Sequence, residues 1–179
     1  MRPSTSVRAE RCNDAPMIAD VIIRAYADVA YSDRREHLMV ERLRQSDAFI
    51  PELSLVACFE DQAVGHILMT RAHIVSDRSA VTTLGLAPLS VVPSYQGLGV
   101  GKQLVRTAHK KAAQLGFQSI VLVGIPDYYT QFGYQRLSLY PVTLPFDAPD
   151  ENCMIAPLVP GALDHVTGRV KYAEAWLDH

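Results

Sequence analysis

From residue 91 the chain reads Val91-Val92-Pro93-Ser94-Tyr95-Gln96-Gly97-Leu98-Gly99-Val100-Gly101-Lys102-Gln103-Leu104-Val105, with glycine at three alternate positions between an apolar run and a helical pattern. Residues without Cβ let successive N–H groups turn toward one point. At a helix N-terminus those groups have no internal partner. With the helix dipole they form an anion site, and phosphate is its usual occupant. Lys102 can add charge without being the main ligand. A tight strand-to-helix connection with no ligand has the same glycines, so the turn alone leaves both readings open.

The surrounding pattern alternates strands and helices. Ser6 to Arg11 reads as a first strand. Asn13 or Asp14 can cap a helix with Pro16 in its first turn and Ile18, Val21, Ile22 and Ala25 on one face. A second helix is expected over residues 35–44, with Leu38, Met39 and Leu43 inward. Residues 53–59 and 64–74 flank the polar turn Glu60-Asp61-Gln62 as a hairpin. Residues 82–92 read as a central strand in which Pro88 predicts a bulge or broken pairing. After the glycines, Leu104, Val105, Ala108, Ala112 and Leu115 share a face, and Gly116 ends the helix. The nearly all-apolar run 117–123 has the character of a buried parallel strand. A strand, a helix and a second strand make one right-handed crossover. A short helix is expected over 126–132, strands over 134–139 and 152–158, and an amphipathic end over 170–177. No repeat or linker interrupts the 179 residues, so one domain over 1–179 is expected.

Composition narrows the function. Seventeen basic residues against nineteen acidic ones leave a formal charge of −2. That argues against a nucleic-acid or anionic-membrane partner, since both usually demand a basic excess. No apolar run reaches the ~20 residues of a membrane span, and Met1-Arg2-Pro3-Ser4-Thr5-Ser6 leads into polar sequence without the apolar core of a signal peptide. Cys12, Cys58 and Cys153 are far apart with no CxxC spacing, so no metal is expected and a reducing, cytoplasmic setting fits.

Two phosphate motifs fail. GxxxxGK[ST] would need glycine where Gln96 stands and a hydroxyl where Gln103 stands, and GxGxxG would need glycine at Lys102. The run from Leu89 to Gly101 instead resembles the acetyl-CoA signature of the GNAT superfamily of N-acetyltransferases. Its core [QR]-x-x-G-x-[GA] is met by Gln96, Gly99 and Gly101, after a strand ending Val-x-Pro-x-[YF]. Downstream, Gly124-Ile125-Pro126-Asp127-Tyr128-Tyr129-Thr130-Gln131-Phe132-Gly133-Tyr134 resembles the second landmark, a tyrosine four residues before Gly-[FY]. The phrases Leu86-Ala87-Pro88-Leu89-Ser90-Val91, Pro160-Gly161-Ala162-Leu163 and Gly168-Arg169-Val170-Lys171-Tyr172 are similar to the YhbS-like bacterial branch. The resemblance covers nearly the whole chain.

The resemblance implies an α/β (α+β) single domain. Its mixed, mostly antiparallel central sheet would be flanked by helices and splayed between strands four and five, here 82–92 and 119–123. It implies acetyl-CoA as cosubstrate. The backbone of Val91 and Val92 would meet the pantetheine and thioester, and a bulge there could supply an oxyanion donor. The N–H groups of Leu98, Gly99, Val100, Gly101 and Lys102 would hold the pyrophosphate, with Gln96 and Gly97 shaping the loop. Tyr129 matches the general acid that protonates the departing thiolate, and Tyr128 reads as structural. The reaction would be direct attack by a neutral primary amine, on a small molecule or on a peptide or protein, and a homodimer is possible. A non-catalytic acyl-CoA-binding module of the same fold is the alternative. No base is named: residues 82–92 carry no ionisable side chain, while His66, His73, Glu52, Asp77 and a water chain are all weakly supported. The Asn that many relatives carry at the end of strand five is replaced by Gly124 and Pro126. Tyr26, Asp28, Tyr31 and Asp33 lie where the family places its acceptor side.

Overall fold

A computed structural model describes residues 4–177; the opening Met1-Arg2-Pro3 and the last two residues of the expected 1–179 domain lie outside the described residues. The elements, in chain order, are β1 (Ser6–Ala9), α1 (Ala15–Tyr26), α2 (Glu36–Arg44), β2 (Ser54–Phe59), β3 (Gln62–Val75), β4 (Ala80–Val91), α3 (Val100–Gln114), β5 (Ser119–Val123), α4 (Pro126–Tyr129), β6 (Gln135–Arg136), β7 (Val142–Thr143), β8 (Cys153–Pro157), β9 (Gly168–Lys171) and α5 (Glu174–Leu177). The sheet runs β1-β2-β3-β4-β5-β8-β6, with β9 on β3 and β7 on β9. Along that path only β4 and β5 are parallel, so the sheet is mixed and mostly antiparallel as expected.

Strands β2 and β3 are interior strands of the sheet, apolar on both faces. Leu55, Val56, Ala57, Ile67, Leu68 and Met69 are all fully buried, each side chain of this size stabilising by roughly 1.5–3 kcal/mol at most. Alternate residues of β3 face opposite layers. Gly65 faces α3, where Leu104 and Val100 come within 3.1 Å of the place a Cβ would occupy. His66 faces the other way, toward Ser54 and Arg44 of α2. Helix α3 buries Val100, Leu104, Val105, Ala108 and Ala112.

Several local expectations change. Asp14 stands at the start of α1 but does not cap it: its carboxylate takes Arg8 at 2.5 Å and the Arg11 N–H at 2.7 Å. In α2 Val40 and Leu43 are buried and Met39 packs partly buried against the core, while Leu38 is exposed. Leu115 lies past the end of α3 and is exposed. Gly116, at φ +92, closes that helix as expected. The expected strand 134–139 is only β6 followed by a 3-10 turn over Leu137–Leu139. The end segment splits into β9 and α5.

Candidate active site

Pairing between β4 and β5 is limited to Leu84↔Ile120 and Gly85↔Val121, although β4 continues to Val91 and β5 to Val123. Beyond Gly85 the strands part. In β4 the register against β3 shifts between Ile67↔Leu89 and Met69↔Leu86, placing a bulge at Ala87–Pro88, whose peptide bond is cis. Pro88 has no N–H to give either neighbour. This is the bulge expected from Pro88; at Val91 the strand pairs in regular register with Gly65, so no second bulge forms at Val91–Val92.

A cleft of about 1020 Å³ fills the opening. One wall is the turn into α3: Gln96, Gly97, Gly99, Val100, Gly101 and Lys102 line it, with Val91 at its root. Val92 and Leu98 do not; the Val92 side chain is buried, and its N–H donates to Val64 O at 3.0 Å. The three glycines serve different needs. Gly97 and Gly99 adopt φ +75 and +90, where other residues are strained. At Gly101 a Cβ would lie 2.6 Å from the Tyr128 hydroxyl. Gln103 N–H is the first in α3 to find an in-helix acceptor, Gly99 O. The N–H groups of Val100, Gly101 and Lys102 precede it and point out of the helix end. Gln96 holds the turn against the strand by donating from Nε2 to Val91 O at 2.9 Å.

The Val92-to-Val64 bond makes Gly65↔Val91 a pair whose own backbone groups point away from each other. Leu89 and Val91 therefore turn their N–H and C=O toward the cleft. Both carbonyls are taken, Val91 O by Gln96 and Leu89 O by the Tyr26 hydroxyl at 3.2 Å.

The opposite wall is aromatic. Tyr128 and Tyr129 meet edge to face at 5.0 Å, and Tyr129 packs likewise on Phe132 and Tyr134. The ring of Tyr129 fits because residue 124 is glycine: a Cβ there would lie 2.5 Å from Cε2. Burial pushes the Tyr129 phenol well above its ordinary pKa, and Tyr26, Tyr128 and Tyr31 push in the same direction. It stays protonated through the neutral range. Tyr26 and Tyr31 also line the cleft, whereas Asp28 and Asp33 do not.

His66 and His73 do not reach the cleft: His66 is fully buried, and His73 pairs with Thr82 and Lys171 at the far end of β3. Sequence reasoning missed Asn152, which enters from the turn before β8. Its Nδ2 donates to Gly124 O at 3.0 Å, and Gly124 N–H donates back to Asn152 O, so an asparagine stands beside the end of β5 after all. No spacing in the chain announces it, because residue 152 comes 28 positions later. Tyr95, Gln131 and Pro149 also line the cleft and were not anticipated. Among the described residues, no group of three His, Cys, Asp or Glu is placed to hold a metal ion, no helix is long and apolar enough to cross a membrane, and the three cysteines are free.

A mixed sheet opened between its parallel central pair, with a glycine-turned helix start at the opening, makes an α/β domain built to take an elongated anionic ligand between two strands. The chain belongs to the GNAT acetyltransferase family, whose family model matches residues 21–137. It is 32% identical over 165 residues to YjhQ of Escherichia coli K12, an N-acetyltransferase described as uncharacterized, covering 90% of this chain and 88% of that one. It is 28% identical to the similarly described YhbS of the same strain, covering 94% and 96%. The crystal structure of E. coli YhbS in complex with CoA superposes with a TM-score of 0.86 at 26% identity, covering 97% of this chain and 92% of that one. A GNAT family acetyltransferase from Brucella melitensis in complex with acetyl-CoA gives 0.80 at 30% identity, covering 97% and 99%. The likeness to the YhbS branch thus extends over almost the full length, and it places the chain among the N-acetyltransferases.

Proposed function

We propose that this protein transfers the acetyl group of acetyl-CoA to a primary amine by direct attack, in the cytoplasm, with residues 1–179 acting as one domain. The observation that carries the reading is the junction of two features at one cleft. Unpartnered N–H groups of α3 lie at one end, and the unpaired edge of β4 runs in from the other. Acetyl-CoA supplies the activated thioester. The N–H groups of Val100, Gly101 and Lys102, with the turn at Leu98 and Gly99, receive the pyrophosphate, and Lys102 adds its charge. The N–H groups of Leu89 and Val91 offer themselves to the pantetheine and to the thioester oxygen, where negative charge develops during attack. Val92 contributes by packing rather than through its N–H. The Tyr129 phenol, protonated and facing the opening, donates to the departing sulfur.

The acceptor is a small amine or the amine of a peptide or protein. The phenols of Tyr26 and Tyr31 form its side of the cleft. The absence of an ionisable side chain on β4 favours one second reading, an acyl-CoA-binding module without turnover.

Thermal unfolding with acetyl-CoA, CoA, ATP and NAD tests the cosubstrate. A ligand at a hundred times its Kd adds about 2.7 kcal/mol of apparent stability. Acetyl-CoA and CoA are expected to stabilise, and a folded Gly99→Glu, Gly101→Glu variant is expected to lose that response. Acetyl-CoA turnover over an amine panel then separates enzyme from binding module. No response to either CoA ligand overturns the reading.

A further inference from the structure

One row of buried polar groups is unused by the mechanism above. It crosses the sheet on the face opposite α3, beneath Tyr26. His66 on β3 and Ser90 on β4 are direct partners in the strand register, and Ser54 on β2 is the next group outward. Ser54 and His66 have no exposed surface, and Ser90 is 1% exposed. Aliphatic residues would fill such positions in a sheet centre at no polar cost.

The charge at the outer end sets the direction of the row. Arg44 donates to Glu10 from Nε at 2.7 Å, so the Glu10 carboxylate is an acceptor. The Ser54 hydroxyl, 2.5 Å from Glu10 Oε2, must therefore donate to it. Its oxygen then accepts from His66, whose Nε2 is 3.0 Å away. His66 thus carries its proton on Nε2 and presents a bare lone pair at Nδ1. That atom and the Ser90 hydroxyl are the two buried side-chain polar atoms without a hydrogen-bond partner among the described residues. Ser90 follows Leu89, whose carbonyl takes the cleft-lining Tyr26 hydroxyl, and His66 lies one strand further in. Ser90 is next to the Tyr26 phenol and eases its ionisation, against the opposing effects of burial, Glu36 and Tyr31.

We propose that the proton released by the acceptor amine leaves the cleft through Tyr26, Ser90, His66 and Ser54 to Glu10, which serves as the remote base of the reaction. This rests on the acetyltransferase reading. As the amine nitrogen bonds to the acetyl carbon, it carries one proton in excess. That proton passes to the Tyr26 oxygen as the Tyr26 hydroxyl turns from Leu89 O to give its own proton to Ser90, and the Ser90 proton crosses one bridging water to His66 Nδ1. The Nε2 proton passes to Ser54 and the Ser54 proton to Glu10. Each hydroxyl gains one proton and gives one; the His66 ring gains its proton on Nδ1 and gives it from Nε2, and a ring flip restores the Nε2 proton before the next turnover. The C–S bond breaks with its electron pair on sulfur, which takes the Tyr129 proton. Glu10 then releases its proton at the surface, its side chain being 9% exposed beside Arg44 at 18%. The charged and titratable groups around the row are Arg44 from α2, Glu10 after β1 and Tyr26 from α1, with Glu41 on Arg44 and Glu36 toward Tyr26. Burial and Arg44 hold His66 at about 3, so the ring passes a proton on without storing one.

The test compares wild type with Ser90→Ala and His66→Leu, using the acceptor that the amine panel yields. At pH 7 each variant is expected to lose about a hundredfold in kcat with the KM for acetyl-CoA unchanged. The loss should persist above about pH 10, because the proton the row carries is the one a neutral amine sheds on attack and not the one an ammonium ion loses in water. The rate in mixed light and heavy water should curve with deuterium content in wild type and become linear in the variants. Nitrogen NMR of the His66 ring should show the proton on Nε2. Unchanged kcat at every pH in folded variants overturns the relay, as does a proton found on Nδ1. If His66→Leu does not fold, Ser90→Ala, which removes one oxygen, decides alone. A wild type that binds acetyl-CoA but turns over no amine overturns the acetyltransferase reading itself, and the relay with it.

Discussion

Strands β4 and β5 are zipped at one end and apart at the other, and the two ends have opposite kinds of neighbour. At the zipped end Leu84, Ile120 and Val121 are fully buried, and the Thr83 hydroxyl meets Ser119 Oγ at 2.7 Å. Tyr172 and Trp176 stack at 4.6 Å over Gly85, where a Cβ would come within 2.9 Å of the Tyr172 ring. At the open end Val91 is half-buried, Val123 is 45% exposed, and the facing groups are phenols. The C-terminal segment covers one half of the strand pair, and the bulge at Ala87–Pro88 holds the other half open. The cleft is built, and the stability of the sheet does not depend on filling it.

The strongest way to sharpen that contrast is Tyr129→Phe. It removes one oxygen from the open end and is expected to lower kcat by about a hundredfold or more while leaving the acetyl-CoA thermal shift in place. An equal loss of binding would mean that the hydroxyl holds the cosubstrate rather than the leaving group.

Acid should act on the buried His66 and the half-buried His109. His66 lies at about 3 and His109 at about 4, both lowered chiefly by burial. Their unfolded values lie near 6.5, so the unfolded chain binds protons first as pH falls. Their contribution is whole above pH 6.5 and is lost downward through about 4 to 3. Each histidine contributes a slope of up to about 1.4 kcal/mol per pH unit in that window. His109, 2.8 Å from the Tyr134 hydroxyl, is the one to change. In His109→Gln the denaturant midpoint should fall less steeply between pH 6 and 4, and an unchanged slope would remove His109 from the account.

At the zipped end Gly85→Ala forces a methyl group against Tyr172 and Trp176, an overpacking cost of roughly 1–3 kcal/mol. The melting temperature should drop by about 2–12 °C, with the acetyl-CoA shift intact. Loss of that shift would show that the two halves are not independent. The smallest effect is expected at Gly101→Ala, which meets the Tyr128 hydroxyl. Affinity for CoA should fall by about tenfold, near 1.4 kcal/mol. Tyr128→Phe in the same chain should recover part of it, and no recovery would place the cost elsewhere in the turn.

Much of this was legible along the chain. The glycines, the bulge residue Pro88 and the buried β5 run act through neighbours close in sequence, so their patterns survive in one dimension. On α2 Leu43 and Met39 were placed inward correctly, but Leu38 was read in place of Val40, because a short helix with Leu38, Met39, Val40 and Leu43 offers more than one apolar stripe and only docking selects between them. The C-terminal segment read as one amphipathic piece because nothing local says that residues 168–171 extend a sheet edge on β3.

The sequence by itself determined the α/β class, the anion-accepting turn at Gly97, Gly99 and Gly101, and the candidate acid Tyr129, since each depends on backbone conformation or on residues near in sequence. Only the tertiary structure decided that Asn152 stands at the end of β5, that Val92 spends its N–H on Val64, and that His66 joins Ser54 and Ser90 in one row. Those arrangements arise from strand register and bulges, which bring together side chains tens of residues apart, and a slip of one position would turn each to the opposite face.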